Sequence, residues 1–133
     1  MTLSPLLSAP PVIQVHAYAA LLAFGLGVVM LLRRKGTGSH KALGRVWVGL
    51  MALVAGSSFF IWELRQVGPF SWIHLLSIGT LIALFLAVRD IRRGRVEAHR
   101  SAMIAIFFGA LVIAGAFTLM PGRIMHAVVF DAP

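Results

Sequence analysis

Two histidines stand inside apolar stretches of the chain, where an ionisable side chain is uncommon. His16 lies in the stretch VIQVHAYAA, and His74 lies in the stretch SWIHLLSIG. An ionisable group inside a membrane-spanning segment is costly, so it marks a candidate functional site. Neutral imidazole binds haem iron, and it also binds zinc, copper and non-haem iron. Because the chain has no cysteine, metal chemistry is left to histidine, carboxylate and methionine.

Four apolar segments must position these histidines. Hydrophobic residues make up 59% of the chain and charged residues 12%, and the mean hydropathy of +0.92 is far too apolar for a water-soluble domain. A helix of ~20 apolar residues crosses the ~30 Å hydrocarbon layer. We therefore predict one all-α domain over residues 1–133, an integral membrane four-helix bundle with up-down-up-down order. The predicted spans are 12–32, 46–64, 72–88 and 101–120, followed by a short outer-face segment, 121–133.

The cations are concentrated in two of the connections between the predicted spans, and the formal net charge is +8. Cytoplasmic loops of membrane proteins are enriched in Lys and Arg, so both basic connections are predicted to be cytoplasmic and both termini to lie on the outer side. The same distribution favours contact with anionic lipid headgroups over binding of nucleic acid. The cations concerned are Arg33, Arg34, Lys35, Lys41, Arg45, Arg89, Arg92, Arg93, Arg95 and Arg100.

The two halves of the chain resemble each other. Shifting the sequence by about 58 residues superimposes histidines, basic residues and a glycine of the first half on counterparts in the second. This pattern predicts two helical hairpins related as parallel repeats, with an axis along the membrane normal. The equivalent pairs are His16 and His74, Arg34 and Arg92, Gly36 and Gly94 and, after one inserted residue, His40 and His99.

The paired histidines suggest a b-type haem. Four-helix bundles hold cofactors between side chains of facing helices, and His16 and His74 would be the two axial ligands. Arg65 and Arg123 fall on the same side and are candidate partners for the haem propionates. The corresponding role is electron transfer at the outer face, with a quinone or another protein as partner. Small residues that leave room for a macrocycle are Ala17, Ala19, Ala20, Ser57, Ser58, Ser77, Gly79, Gly115 and Ala116.

Three other interpretations of His16 and His74 remain open on the sequence. They are compatible with interfacial polar residues that bond to a neighbouring helix or to lipid headgroups. They are also compatible with a metal site completed by His126 and Glu63, although no tight ligand motif supports one. Finally, the chain is compatible with a non-catalytic accessory or assembly subunit of a larger membrane complex, and whether it is an enzyme stays undecided.

His40 and His99 precede the second and fourth spans, in the stretches GSHKALGR and VEAHRSAM. At these positions they favour helix-start residues or contacts with lipid phosphates. A second ligand pair on the inner face is the alternative, because many membrane electron carriers hold two haems across the bilayer.

A family resemblance rests on the runs HAYAALLAFGLG, KGTGSH, LGRVWV, FSWIHLLS, RRGRVEAHR and GALVIAGAFTLMPGR. In these runs the chain resembles the bacterial four-helix membrane proteins catalogued as domain of unknown function 2306. The resemblance implies the four-helix architecture and a multi-pass location in the bacterial cytoplasmic (inner) membrane. It implies no function. The placement of the histidines is also similar to that of bis-histidine membrane cytochromes b, as an analogy of fold.

Overall fold

The fold is built from helices alone in the part of the chain that the structure describes. The structure, a computed structural model, describes residues 1–61 and 72–131. No strand occurs among these residues. The helices are α1 (Ser4–Leu7), α2 (Pro11–Leu32), α3 (Gly38–Ser58), α4 (Trp72–Arg92), α5 (Val96–Ile106), α6 (Ala114–Phe117) and α7 (Ile124–Phe130), with a π-helical segment, Phe107–Ile113, joining α5 to α6.

Three helical stretches are long and apolar enough to cross a membrane. They are α2, α4 and the continuous stretch Val96–Phe117, with hydropathies of 2.1, 1.8 and 1.9. At 1.5 Å per residue, helices of 21 or 22 residues are about 32 Å long, which matches the hydrocarbon layer. The chain is therefore a membrane protein.

The second predicted span differs in its limits from the helix that contains it. The helix that contains it, α3, begins at Gly38 and ends at Ser58, whereas the predicted limits were 46 and 64. Its first turns carry the cations Lys41 and Arg45, which lower its hydropathy. Residues 62–64 of the predicted span lie outside the described residues.

The long helices pack in a closed sequence of neighbours. Helix α2 packs on α3, α3 on α4, and α4 on α5, while the π-helical segment returns to pack on α2. Among the described residues, α2 does not pack directly on α4, nor α3 on α5. Those two pairs of helices are therefore diagonal to each other.

Small residues and aromatic rings form the core halfway along the helices. The indole Nε1 of Trp47 donates a hydrogen bond of 2.9 Å to the carbonyl oxygen of Ala23. Beside it, the ring of Phe107 lies against Gly27 so closely that a Cβ at Gly27 would stand 2.5 Å from the Cε2 of Phe107. Met51 is fully buried in the same cluster. This core joins α2, α3 and the π-helical segment through contacts that only a glycine at position 27 permits.

Two turns of similar geometry connect α2 to α3 and α4 to α5. Gly36 and Gly94 both have positive φ, +78° and +74°, a conformation that costs glycine little. The Oγ1 of Thr37 then accepts the backbone N–H of His40 and caps α3. These turns determine where the two histidines of the basic connections stand.

The chain termini pack against each other. The backbone N–H of Thr2 donates to the carbonyl oxygen of Val128 at 3.0 Å, and helix α1 packs on α7. Leu6 and Val128 are buried there, with 1% and 5% exposure. Helix α7 therefore covers the same end of the fold as α1.

The π-helical segment changes which small residues face inward. A π-helix closes i to i+5 hydrogen bonds, so it rotates the residues that follow it relative to a regular α-helix. Gly115 and Ala116 are exposed, and neither lines the cavity beside His16. Ala110 and Ala114 face the interior in their place.

Candidate functional site

Histidines lie at both ends of the long helices. The His16 end comprises the start of α2, the end of α3 and the start of α4. The basic end comprises the turns around Gly36 and Gly94, with the cations that flank them. Helix α3 runs from the basic end to the His16 end. The position of a residue along α3 therefore indicates how far it lies from each end.

His16 is held by a hydroxyl of the neighbouring helix. Its Nδ1 lies 2.9 Å from the Oγ of Ser57, and the Oγ of Ser57 also lies 3.1 Å from the carbonyl oxygen of Val54, to which it donates. A hydroxyl has one proton to donate, so Ser57 accepts from His16. This hydrogen-bond network assigns the proton to Nδ1 and leaves a lone pair on Nε2.

His74 lies at the same level of the fold. Its side chain is 3% exposed, and its ring centroid is 5.9 Å from that of Phe59. Because Phe59 follows Ser57 by two residues, both imidazoles lie beside the same turn of the chain at the end of α3. One comes from α2 and the other from α4, which are diagonal to each other.

A small cavity lies next to this level. Its volume is about 100 Å³, and His16 lines it together with three hydroxyl side chains, those of Ser58, Ser77 and Thr80. The hydroxyls of Ser58 and Ser77 contact each other across the α3–α4 interface. The rest of the wall is apolar, so the cavity offers a few polar groups in a hydrocarbon setting.

Arg123 and His126 follow the fourth span at the same end. Arg123 is half-buried at the start of α7, and it forms no ion pair with a described residue. The Nδ1 of His126 donates to the carbonyl oxygen of Leu119 at 2.7 Å, and its ring stacks at a tilt on Phe130. Glu63 and Arg65, the other two candidates predicted for this site, lie outside the described residues.

No three potential metal ligands come together in residues 1–61 and 72–131. His16, His74 and His126 therefore do not form a three-ligand cluster within that part of the chain. What the described residues bring to one level is a pair of imidazoles.

His99 and His40 form a second neighbourhood at the basic end. The Nδ1 of His99 donates to the carbonyl oxygen of Ala87 at 2.9 Å, so its lone pair is also on Nε2. The Nδ1 of His40 is buried without a hydrogen-bond partner among the described residues. Desolvation lowers the pKa of His40, and the nearby charges of Lys35 and His99 lower it further.

Asp90 is a residue at this end that sequence reasoning missed. It is 8% exposed, and its Oδ1 lies 3.1 Å from Arg89 Nη2 and 3.5 Å from Arg95 Nη1. Its carbonyl oxygen also accepts the backbone N–H of Arg95 at 2.8 Å. The signal in the sequence was a single acid among the arginines of RDIRRGR, and its effect is to close the turn that positions His99.

The chain matches a known protein family. The family model described as "Predicted membrane protein (DUF2306)" matches residues 13–130. The chain belongs to this family. The expected resemblance is thereby confirmed, and the DUF2306 description agrees with the three apolar helices. No curated protein and no solved structure matches the chain, so the function has to be argued from the site.

Proposed function

We propose that this DUF2306 protein is a haem b carrier that transfers electrons at the outer face of a bacterial cytoplasmic membrane, with His16 and His74 as axial ligands. The observation that carries the proposal is the position of the two imidazoles, on diagonal helices and beside one turn at the end of α3. The Nδ1 of His16 is occupied by Ser57, which leaves Nε2 for iron. Metal-binding histidines commonly donate their other ring N–H in this way.

The number of ligands favours haem over a single metal ion. A structural or catalytic zinc ion takes at least three protein ligands, and the described residues supply two at this level. A b-type haem would need two side-chain ligands, and His16 and His74 would supply them. We therefore prefer haem to the zinc, copper or non-haem iron site that His126 and Glu63 would have to complete.

Binding of haem would require the His16 end to open. A cavity of 150 Å³ in a protein core holds a benzene molecule, so the cavity of about 100 Å³ beside His16 is too small for a porphyrin. The hydroxyls of Ser58 and Ser77, which line the cavity, contact each other between α3 and α4. Haem binding would therefore require these two helices to separate at this end.

The propionates need cations at the same end. Arg123 is half-buried there without an ion pair to a described residue, and a guanidinium group pairs well with a carboxylate. Arg65 is the second proposed partner and precedes α4 in the sequence. Together the two arginines would offset the charge of the propionates.

The proposed membrane arrangement completes this function. The helices α2, α3, α4 and Val96–Phe117 would form an up-down-up-down bundle of two parallel hairpin repeats. The matching left-handed glycines, Gly36 and Gly94, support the repeat. The basic end would face the cytoplasm and anionic lipid headgroups, and the paired termini would lie on the outer side.

A haem held by His16 and His74 would supply one-electron chemistry at the outer face. Its redox partner would be a membrane quinone or another protein at that face.

Absorption spectroscopy of the purified protein tests the proposal. The protein is expressed with an adequate haem supply and purified in detergent. Its absorption spectrum is then recorded in the oxidised and in the dithionite-reduced form. We expect a Soret band, reduced α and β bands, and loss of haem from His16→Ala and His74→Ala, while His126→Ala retains it. Absence of haem from the wild-type protein would refute the proposal. A haem-free chain that purifies within a larger complex would support the accessory-subunit alternative.

A further inference from the structure

A groove between two of the membrane helices has no role in the function proposed above. It runs between α4 and the stretch Val96–Phe117, and its volume is about 320 Å³, which is within the usual range of small-molecule sites. Gly79 and Ala105, which line it, are exposed, so in a membrane the groove opens to the hydrocarbon layer. Small residues form most of its wall: Gly79, Ala83, Ala102, Ala105, Gly109 and Ala110.

The groove and the cavity beside His16 share part of their walls. Leu76, Thr80 and Ala110 line both of them, whereas His16 lines the cavity alone. Ala110 belongs to the π-helical segment, and such segments are frequent at functional sites. A ligand in the groove therefore reaches side chains that also line the cavity, and it leaves His16 to the iron.

The hydroxyl groups at this junction offer lone pairs rather than protons. Thr80 Oγ1 donates to the carbonyl oxygen of Leu76 at 2.8 Å. The Oγ atoms of Ser77 and Ser58 likewise donate to carbonyl oxygens of their own helices, at 2.9 and 2.6 Å. A hydroxyl has one proton to donate. Each of these side chains is therefore left with an acceptor for a ligand that carries its own proton.

The depth of Thr80 restricts the kind of ligand. Thr80 is 7% exposed and follows Trp72, the first residue of α4, by eight residues, so it lies about 12 Å along the helix from that end. A phospholipid keeps its charged headgroup at the surface, and its acyl chains carry no donor. A helix of a second copy could lie in the groove, but its backbone N–H groups are used in its own hydrogen bonds. A neutral amphiphile with a hydroxyl on a flat ring meets both requirements.

We propose that this groove binds the reduced form of a membrane quinone, with the quinol ring beside Thr80 and Ala110 and the apolar tail between α4 and α5. A quinol hydroxyl donates to Thr80 Oγ1. A quinone has carbonyl acceptors in place of the hydroxyls, and the side-chain hydroxyls described at this junction have no proton left for them. The inference rests on the proposed function for its role, since it names the redox partner left open there, but the binding itself needs no haem.

Isothermal titration calorimetry of the purified protein in lipid nanodiscs tests the site. The probe is decylubiquinol under anaerobic conditions, and decylubiquinone and decylbenzene carry the same tail without the hydroxyls. We expect saturable binding of decylubiquinol, about tenfold tighter than that of decylubiquinone, as one additional hydrogen bond allows. Equal binding of all three compounds would show that the groove takes only their tails, and it would overturn the proposal.

Two glycines in the groove provide blocking variants. A Cβ at Gly79 or at Gly109 meets nothing within 4 Å, so Gly79→Leu and Gly109→Leu add a side chain to open space. Each should weaken the binding of decylubiquinol by at least about tenfold, because the groove is filled. Gly25→Leu on α2, where an added Cβ also meets nothing within 4 Å, is the matched control and should bind as the wild type does. Wild-type affinity in both blocking variants would exclude the groove as the site.

Substitutions at Thr80 test the polar contact separately from the shape of the groove. Thr80→Val removes the acceptor and keeps the branched side chain, so it should abolish the preference for decylubiquinol over decylubiquinone. Thr80→Ser keeps the hydroxyl and should keep the preference. A Thr80→Val protein with the wild-type preference would overturn the hydrogen bond to Thr80.

The outcomes separate this proposal from the function proposed above, because binding is measured whether or not the protein carries haem. A haem-free protein that binds decylubiquinol refutes the haem carrier and supports the groove. A haem-containing protein without saturable binding overturns the groove alone. A dimer that Gly79→Leu and Gly109→Leu dissociate, without binding of decylubiquinol, would show that a second copy occupies the groove instead.

Discussion

The Nδ1 of His16 donates a hydrogen bond of 2.9 Å to the Oγ of Ser57 on the neighbouring helix. The hydroxyl of Ser57 in turn donates to the carbonyl oxygen of Val54. This chain of two hydrogen bonds orients the imidazole and sets its tautomer, so the ring presents Nε2 as its acceptor nitrogen. The sequence analysis included Ser57 only as a small residue that leaves room for a cofactor. In the structure it is the hydrogen-bond partner that orients His16.

Ser57→Ala should weaken haem binding at His16. The substitution removes the acceptor of the Nδ1 proton, and loss of such a partner typically costs about 10–100-fold in affinity. Titration of haem into the haem-free protein measures the effect. Ser8→Ala, an exposed serine in the turn after α1, is the matched control and should bind as the wild type does. Equal affinity of the Ser57 variant would show that the hydrogen bond does not support the ligand.

Gly27→Ala should destabilise the fold. Its Cβ would stand 2.5 Å from Phe107 Cε2 and 3.0 Å from Trp47 Nε1, so the core must shift, which typically costs about 1–3 kcal/mol. Thermal unfolding in detergent measures the change. Gly25→Ala, in the same helix, meets nothing within 4 Å and should be neutral or gain up to ~1 kcal/mol in helix propensity. A Gly27 variant as stable as the Gly25 variant would contradict the packing.

The stability of the haem-free protein should fall as the pH drops below about 6.5. The pKa of His40 is lowered from 6.5 by desolvation and by the charges of Lys35 and His99. The unfolded chain therefore takes up a proton at a higher pH than the folded chain does. Where the unfolded state binds more protons, stability rises with pH, so the contribution is complete above 6.5 and is lost below it.

Melting temperatures measured across this pH range test the effect. His40→Gln should flatten the decline, and His99→Gln should flatten it partly, because it removes one of the charges that depress the pKa of His40. In a nuclear magnetic resonance titration of the wild type, the His40 ring should protonate below pH 6.5. Protonation above 6.5 would contradict the proposed environment.

The two ends of the fold should differ in accessibility from outside the cell. The natural chain has no cysteine, so single substitutions report cleanly. An impermeant maleimide should label Ser8→Cys in intact cells with the outer envelope opened, and Arg34→Cys should react after lysis only. Both positions are exposed. The reverse pattern would place the basic end outside and contradict the proposed orientation.

Sequence patterns predicted the membrane helices well, because a span is a local property. A run of ~20 apolar residues satisfies its own backbone hydrogen bonds as a helix whatever its neighbours do. The predicted span 12–32 and α2 agree within one residue. The limits of α3 were harder to predict, because Gly38 to Arg45 is polar and continues the helix beyond the apolar run. The cap on Thr37 begins that helix.

For the site residues too, the local property could be predicted from the sequence and the contacts between helices could not. The sequence alone determined that His16 and His74 stand near the same ends of their helices, since spacing from the span ends sets depth. Only the tertiary structure decided that Ser57 orients His16, that Ala110 and Ala114 rather than Gly115 and Ala116 face the cavity, and that Asp90 closes the turn before His99. These features depend on helix rotation and on contacts between helices, and a π-helical segment alters rotation without leaving a mark in hydropathy.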